Sequence, residues 1–409
     1  MPATAKRLLL LAYHFPPDPS IGGVRPAHFC RHLPGLGWEP QVMTAAAQNP
    51  PLKASVRAFA DLFPEHNRGT LAWHRERLLR KLFFPGHLGI GWAQPVAEAG
   101  VAWAREQKRM GVKAALLSSY PPLGVHLAAM RIQKKTGMPW IADFRDPLGY
   151  DPTGQLSPLA RGAQRWLERA VFERADVILA NTDTMAERWR SAYPKQAGKI
   201  HVIWNGYDAA DEIGPAAVPQ RAVRWLTHLG SLYTGRHPGA VTEALAALID
   251  AGKLAAGSVV VRQIGPSADT ELDRSPATRR AQREGWLQLD GSKPQAEAFA
   301  VAQASDVLLL LQPQSDHQVP GKLFEYLRLG RPILAVVPRN SPIEMILSQS
   351  GVPYRCLYPE LGAEAAGRMI EELLALPGGH YPASEWFFSR FSAAARTRTL
   401  VDLLESVTI

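Results

Sequence analysis

Short continuous apolar runs alternate along this chain with stretches in which apolar positions recur every three to four residues. Runs of the first kind read as strands buried on both faces, and stretches of the second as helices packed over them. Strands are expected at residues 8–13, 40–44, 114–117, 140–143, 175–180 and 199–203. A second series follows at 224–228, 258–264, 286–289, 306–311 and 333–337. Helices are expected at 27–33, 123–135, 158–174, 239–251 and 384–407, with Ser157 placed to cap the third and Pro158 at its first position. Alternation of this kind implies parallel sheets, with ligands outside the carboxyl ends of the strands. The chain of 409 residues suits two domains. The expected division is 1–208, a Pro-bearing aperiodic linker at 209–221, 222–383, and a C-terminal helix at 384–409.

The most pointed stretch is Val319-Pro320-Gly321-Lys322-Leu323-Phe324-Glu325-Tyr326-Leu327, closed by Gly330-Arg331-Pro332. Pro320 suits the first turn of a helix, Gly321 admits a ligand close to the backbone, and Gly330 with Pro332 is a helix stop. A bare helix start attracts phosphate through its free amides and its dipole. Lys322, Glu325 and Leu329 fall on one face and Leu323, Phe324 and Leu327 on the other. Lys322 would meet phosphate oxygens, and Glu325 would accept from ribose hydroxyls. The plainer alternative is a solvated Lys–Glu pair, worth about 0.2–0.5 kcal/mol.

Composition adds charge to this picture. The net charge is +9 and the pI about 9.6, which favours an anionic partner, whether nucleotide, nucleic acid or lipid surface. No nucleic-acid-binding motif is present, so nucleic acid is not expected. Two distant cysteines, Cys30 and Cys356, make no metal spacing and fit a reducing compartment. Lys6-Arg7 before 8–12 has the look of a truncated signal sequence but lacks a cleavage site, and no stretch nears the ~20 apolar residues of a membrane span. The expected location is the cytoplasm, or the inner membrane face as a peripheral protein. For the latter, residues 73–84 combine Arg75, Arg77, Arg80 and Lys81 with Trp73, Leu78, Leu79, Phe83 and Phe84, as in helices that lie on anionic membranes. The competing reading is a helix packed on its own domain with snorkelling arginines.

Three further groups sit where strands end. Gly22-Gly23 follows the first strand without forming G-x-G-x-x-G, which argues against a nicotinamide enzyme. Asp143-Phe144-Arg145-Asp146 closes the strand at 140–143; its carboxylates suit sugar hydroxyls or proton transfer, or else a structural Arg–Asp clamp. Arg236 follows the first strand of the second half, placed for the same phosphates as Lys322.

Taken together, Gly22-Gly23, Gly230-Ser231-Leu232-Tyr233-Thr234-Gly235-Arg236, Trp140-Ile141-Ala142-Asp143-Phe144-Arg145-Asp146-Pro147 and Pro320-Gly321-Lys322-Leu323-Phe324-Glu325-Tyr326-Leu327 resemble family-4 glycosyltransferases of the GT-B fold. The resemblance implies an α/β protein of two Rossmann-like parallel-sheet domains facing a central cleft, with the C-terminal helix packing back toward the N-terminal domain. It implies a metal-independent, retaining transfer from a UDP- or GDP-sugar to a glycan or lipid-linked acceptor, with no cofactor. Carried over residue by residue, Gly22, Gly23, Arg25, Arg236, His317, Gly321, Lys322, Leu323 and Glu325 would bind the donor. Asp143, Arg145, Asp146, Arg236 and Lys322 would form the catalytic set. His317 stands where the family often has a glutamate, and Ser231 where a basic residue is common. A nucleotide-sugar-binding protein without transferase activity and a GT-B-fold sugar-nucleotide epimerase are the alternatives.

Overall fold

A computed structural model describes residues 6–18, 20–45, 55–61, 71–85, 88–148, 156–210, 222–232, 235–314 and 318–408. The chain divides into two compact units, residues 1–208 with 392–409, and residues 209–391.

In the first unit the strands are β1 (Lys6–Leu11), β2 (Trp38–Thr44), β3 (Ser55–Ala58), β4 (Ala114–Tyr120), β5 (Trp140–Phe144), β6 (Val177–Ala180) and β7 (Ile200–Val202). They form one sheet in the order β3-β2-β1-β4-β5-β6-β7, every pairing parallel. The leucine run in β1 shows why a parallel strand needs apolar residues throughout. Leu9 and Leu11 enter a core with Trp92, Ile132 and Phe172 on one face. Leu8 and Leu10 enter another with Phe29, Trp38 and Leu400 on the opposite face. Each fully buried leucine contributes about 1.5–3 kcal/mol, so a polar substitution anywhere in the run opens one core or the other.

The second unit carries β8 (Arg224–Leu229), β9 (Val259–Ile264), β10 (Leu287–Gly291), β11 (Val307–Leu311), β12 (Ile333–Val336) and β13 (Tyr354–Leu357), in the order β10-β9-β8-β11-β12-β13 and again all parallel. Both units thus follow the doubly wound order. The direction of winding reverses between β1 and β4 in the first and between β8 and β11 in the second, which is where such sheets hold ligands.

Local signals place the helices. Ser157 accepts from the Ala160 amide at 3.2 Å and starts Pro158–Arg174 as expected. Gly330, at φ 61°, ends Lys322–Leu329. The tail departs from the expected single helix. It breaks at Ser392, whose hydroxyl accepts from Ala395 and starts Ala393–Val407. The preceding helix, Glu385–Phe391, stays with the second unit, where the Phe391 ring meets Phe324 at 5.1 Å. Ala393–Val407 belongs to the first unit: Leu400 and Leu404 complete its core, and the Ala393 amide donates to the Tyr207 carbonyl at 2.8 Å.

Helix Leu71–Phe83 forms where an amphipathic cationic segment is expected, and none of its described side chains is buried; the Trp73 side chain lies outside the described residues. Among the described residues no helix is long and apolar enough to cross a membrane.

Candidate active site

At the reversal point of the second unit, β8 runs out through His228 and Leu229 into Gly230 at φ 120°, and neighbouring β9 into Gly265 at φ 133°. A Cβ on Gly230 would stand 2.3 Å from Lys322 Nζ, and one on Gly265 2.5 Å from the Gly230 carbonyl oxygen. Glycine at both places is what lets the lysine ammonium lie against the end of β8.

Lys322 opens helix Lys322–Leu329, whose start has no side-chain cap. The Leu323 and Phe324 amides bond back to the Pro320 and Gly321 carbonyls at 3.0 and 3.1 Å. The amides of Gly321 and Lys322 are left without an acceptor among the described residues. Behind them the Tyr326 hydroxyl accepts from the Leu229 amide at 2.8 Å, fastening the helix to β8.

His228 is a site residue that the sequence pattern did not single out; its only signal was a polar Thr227-His228 pair near the end of a strand, just before Leu229-Gly230-Ser231. Its Nδ1 lies 2.9 Å from the Leu309 carbonyl oxygen. That oxygen only accepts, so the ring proton is on Nδ1 and Nε2 is an acceptor. Lys322 Nζ donates to Nε2 at 3.3 Å. Burial first, and then the Lys322 charge, hold His228 well below its ordinary pKa. Burial, reinforced by the Arg236 charge, brings the Lys322 ammonium down to about 7. No carboxylate contacts Lys322 among the described residues.

Glu325 pairs with Arg328 at 3.1 Å rather than with Lys322. Leu329, expected on one face with Lys322 and Glu325, is 3% exposed. The outer arc of the helix is Lys322, Glu325 and Arg328, and the Leu329 side chain turns into the core instead. Leu323 is fully buried, which leaves its backbone as the part able to meet a ligand. Arg236 is half-buried in the loop after Gly235, whose amide donates to the buried Glu271 carboxylate at 2.9 Å. Residue His317 lies outside the described residues.

The first unit treats its charges differently. Arg25 and Asp143 bind each other through two hydrogen bonds of 3.1 and 2.9 Å. Their side chains are 4% and 0% exposed. Ser119 Oγ donates to Asp143 at 2.9 Å, and Arg25 Nη1 donates to the Trp204 carbonyl at 2.7 Å. Arg145 spends its guanidinium on three carbonyl oxygens, of Gly22 at 2.8 Å, Tyr120 at 3.1 Å and Pro121 at 2.6 Å. Asp146 lies half-buried beside it. Gly22 and Gly23 form the short turn Ile21–Gly23. A Cβ on Gly22 would come within 3.1 Å of His14 and 3.4 Å of Arg145, and one on Gly23 within 3.1 Å of the Phe15 backbone. The structure therefore gathers Gly22, Arg145 and His14 into one cluster at the β1–β4 reversal. Arg25 and Asp143 form a separate buried pair.

Residues 23–211 match the family Glycosyltransferase Family 4. The matched stretch covers most of the first unit. With its two doubly wound parallel-sheet units, the chain has the GT-B fold. Solved structures share the fold over the whole chain. A glycosyltransferase from Rickettsia africae ESF-5 is 11% identical, with a TM-score of 0.60 over 98% of each chain. Anabaena HepE in complex with UDP-glucose is 13% identical, with a TM-score of 0.60 over 98% of this chain and 99% of that one. A UDP-forming α,α-trehalose-phosphate synthase from Burkholderia xenovorans, in complex with glucose-6-phosphate, is 11% identical, with a TM-score of 0.62 over 98% of this chain and 100% of that one. No curated protein matches the chain by sequence.

Proposed function

We propose that the protein is a glycosyltransferase, moving a sugar from a nucleoside-diphosphate sugar, UDP- or GDP-linked, to a glycan or lipid-linked acceptor, retaining the anomeric configuration and using no metal. One observation carries the donor assignment. Lys322 lies half-buried beside Arg236 and a neutral histidine, with no carboxylate contact among the described residues, at the reversal point of its sheet. A lysine ammonium held beside a guanidinium, with no carboxylate of its own, is costly until an anion arrives, and a diphosphate supplies one. The amides of Gly321 and Lys322 add donors at a helix start.

In this reading Lys322 and Arg236 grip the phosphate oxygens. As the bond from the sugar to the diphosphate breaks, negative charge grows on the leaving group, and fixed cations stabilise it most at that moment. Glu325, oriented by Arg328, accepts from the ribose hydroxyls. In the first unit Arg145 and the Arg25–Asp143 pair act as positioning groups that fix the loops after β1, β4 and β5, where the acceptor binds. A lipid-linked acceptor would bring the protein to the inner membrane face.

The test is a panel of UDP- and GDP-sugars added to the purified protein. The cognate donor at about 100 times its dissociation constant raises stability by roughly 2.7 kcal/mol, and adding an acceptor releases the nucleoside diphosphate. A panel in which no nucleotide sugar stabilises the protein overturns the donor site. Stabilisation without diphosphate release under any acceptor would leave a binding protein.

A further inference from the structure

Among the described residues, seven of the thirteen exposed large hydrophobic side chains lie in two stretches of the first unit. Leu71, Leu78, Leu79 and Leu82 are 89, 57, 45 and 41% exposed on helix Leu71–Phe83, and Leu88 is 52% exposed just beyond it. Leu159 and Trp166 are 50 and 68% exposed on helix Pro158–Arg174. The two helices pack against each other, so these residues belong to one region of the surface. On the first helix Leu71, Leu78 and Leu82 recur at i, i+7 and i+11 and make one stripe, with Arg75 inside it. The two helices carry eight basic residues, Arg75, Arg77, Arg80 and Lys81 on one and Arg161, Arg165, Arg169 and Arg174 on the other. Against these stand three acidic residues, of which Glu168 is buried on the Leu148 amide and the Tyr193 hydroxyl.

We propose that these two helices together form a docking surface for an anionic lipid bilayer, with Trp166 and the Leu71–Leu78–Leu82 stripe entering the interface and the basic side chains meeting lipid phosphates. Charge complementarity selects this occupant: a leucine stripe without basic residues would suit a second copy of the chain, but a strongly cationic patch repels its own copy. An indole half in water and half in hydrocarbon suits the headgroup level. The proposal extends the lipid-linked-acceptor reading but stands on surface composition, so donor binding is measured beside it.

The experiment is sedimentation of the full chain with phosphatidylcholine vesicles, with and without about 30% phosphatidylglycerol. Binding to the anionic vesicles alone is expected, and it is released by high salt as screening shortens the attraction. Each basic residue near the surface contributes about fivefold in partition, equivalent to about 1 kcal/mol. Arg75→Glu with Lys81→Glu therefore removes sedimentation. Trp166→Ala and the pair Leu78→Ser with Leu82→Ser each lower it severalfold. All of these side chains are exposed, so the variants keep the wild-type melting temperature and nucleoside-diphosphate affinity. Equal binding to both vesicles, binding that survives the substitutions, or a salt-stable dimer with no vesicle binding would each overturn the proposal. Loss of donor binding in the wild type would instead overturn the donor site alone.

Discussion

The two reversal points share one sheet topology and handle cations in opposite ways. In the first unit Arg25 meets a carboxylate and a carbonyl, and Arg145 meets three carbonyls. In the second, Lys322 meets a neutral imidazole and the field of Arg236. A cation satisfied from within holds a structure in place, whereas one left beside another cation is disposed to bind. The arginines of the first unit are thus part of its architecture, and the lysine of the second is poised for a ligand.

The largest effect that sharpens this contrast is on stability. Arg25→Ala leaves Asp143 buried and charged without its partner, and costs about 3–5 kcal/mol, read as a lower denaturant midpoint. Removing both partners together should cost less than the sum of the single changes. If Arg25→Ala melts like the wild type, the pair is not a structural anchor.

Next comes affinity. Lys322→Ala and Arg236→Ala should each weaken nucleoside-diphosphate binding by about 1.5–3 kcal/mol, a factor of roughly ten to a hundred or more, and leave nucleoside binding unchanged. Lys322→Ala should not destabilise the free protein, because it removes a burial cost. Unaltered titration calorimetry in both variants would erase the contrast.

The pH dependence follows from the same lysine. Its folded pKa of about 7 is below the ~10.4 of an unfolded lysine. Between those values the unfolded chain carries a proton that the folded chain lacks, so this group makes unfolding harder as pH rises through the window. A bound diphosphate favours the charged ammonium, so binding above pH 7 should take up a proton and weaken by up to about tenfold per pH unit. Calorimetry in buffers of different ionisation enthalpy measures the uptake. Pure diphosphate binding with no proton uptake at pH 8 would contradict the assignment to Lys322.

The smallest effect is on selectivity. Glu325→Gln should blunt discrimination between ribose and deoxyribose nucleotides by about 1–2 kcal/mol in competition binding. Full discrimination in the variant would return Glu325 to its surface pairing with Arg328.

Much of the fold was legible in the sequence because parallel strands buried on both faces leave unbroken apolar runs, as in β1 and β11. The Ser157 cap and the Gly330 stop were legible because single residues set them. β3 was not, since an edge strand with half-exposed and exposed side chains carries no periodic signal. The site was legible to the level of Lys322, Arg236 and the helix start. What the lysine faces was not, because His228 is brought to it by a strand 94 residues away. Leu329 was misplaced for a related reason: a wheel assigns faces by angle alone, and the packing around helix Lys322–Leu329 takes all but a narrow outer arc into the core.

The break at Ser392 bears on how the protein is made. Residues 209–391 are contiguous, and their unit has all its parts once that stretch has left the ribosome. The first unit begins emerging earlier but waits, because Leu400 and Leu404 close the core around β1 and Arg396 reaches His28 only when residues 392–409 arrive. Domains usually mature in order of synthesis. Here the later unit is complete first, and the earlier one spends translation with one face of its central sheet only partly covered.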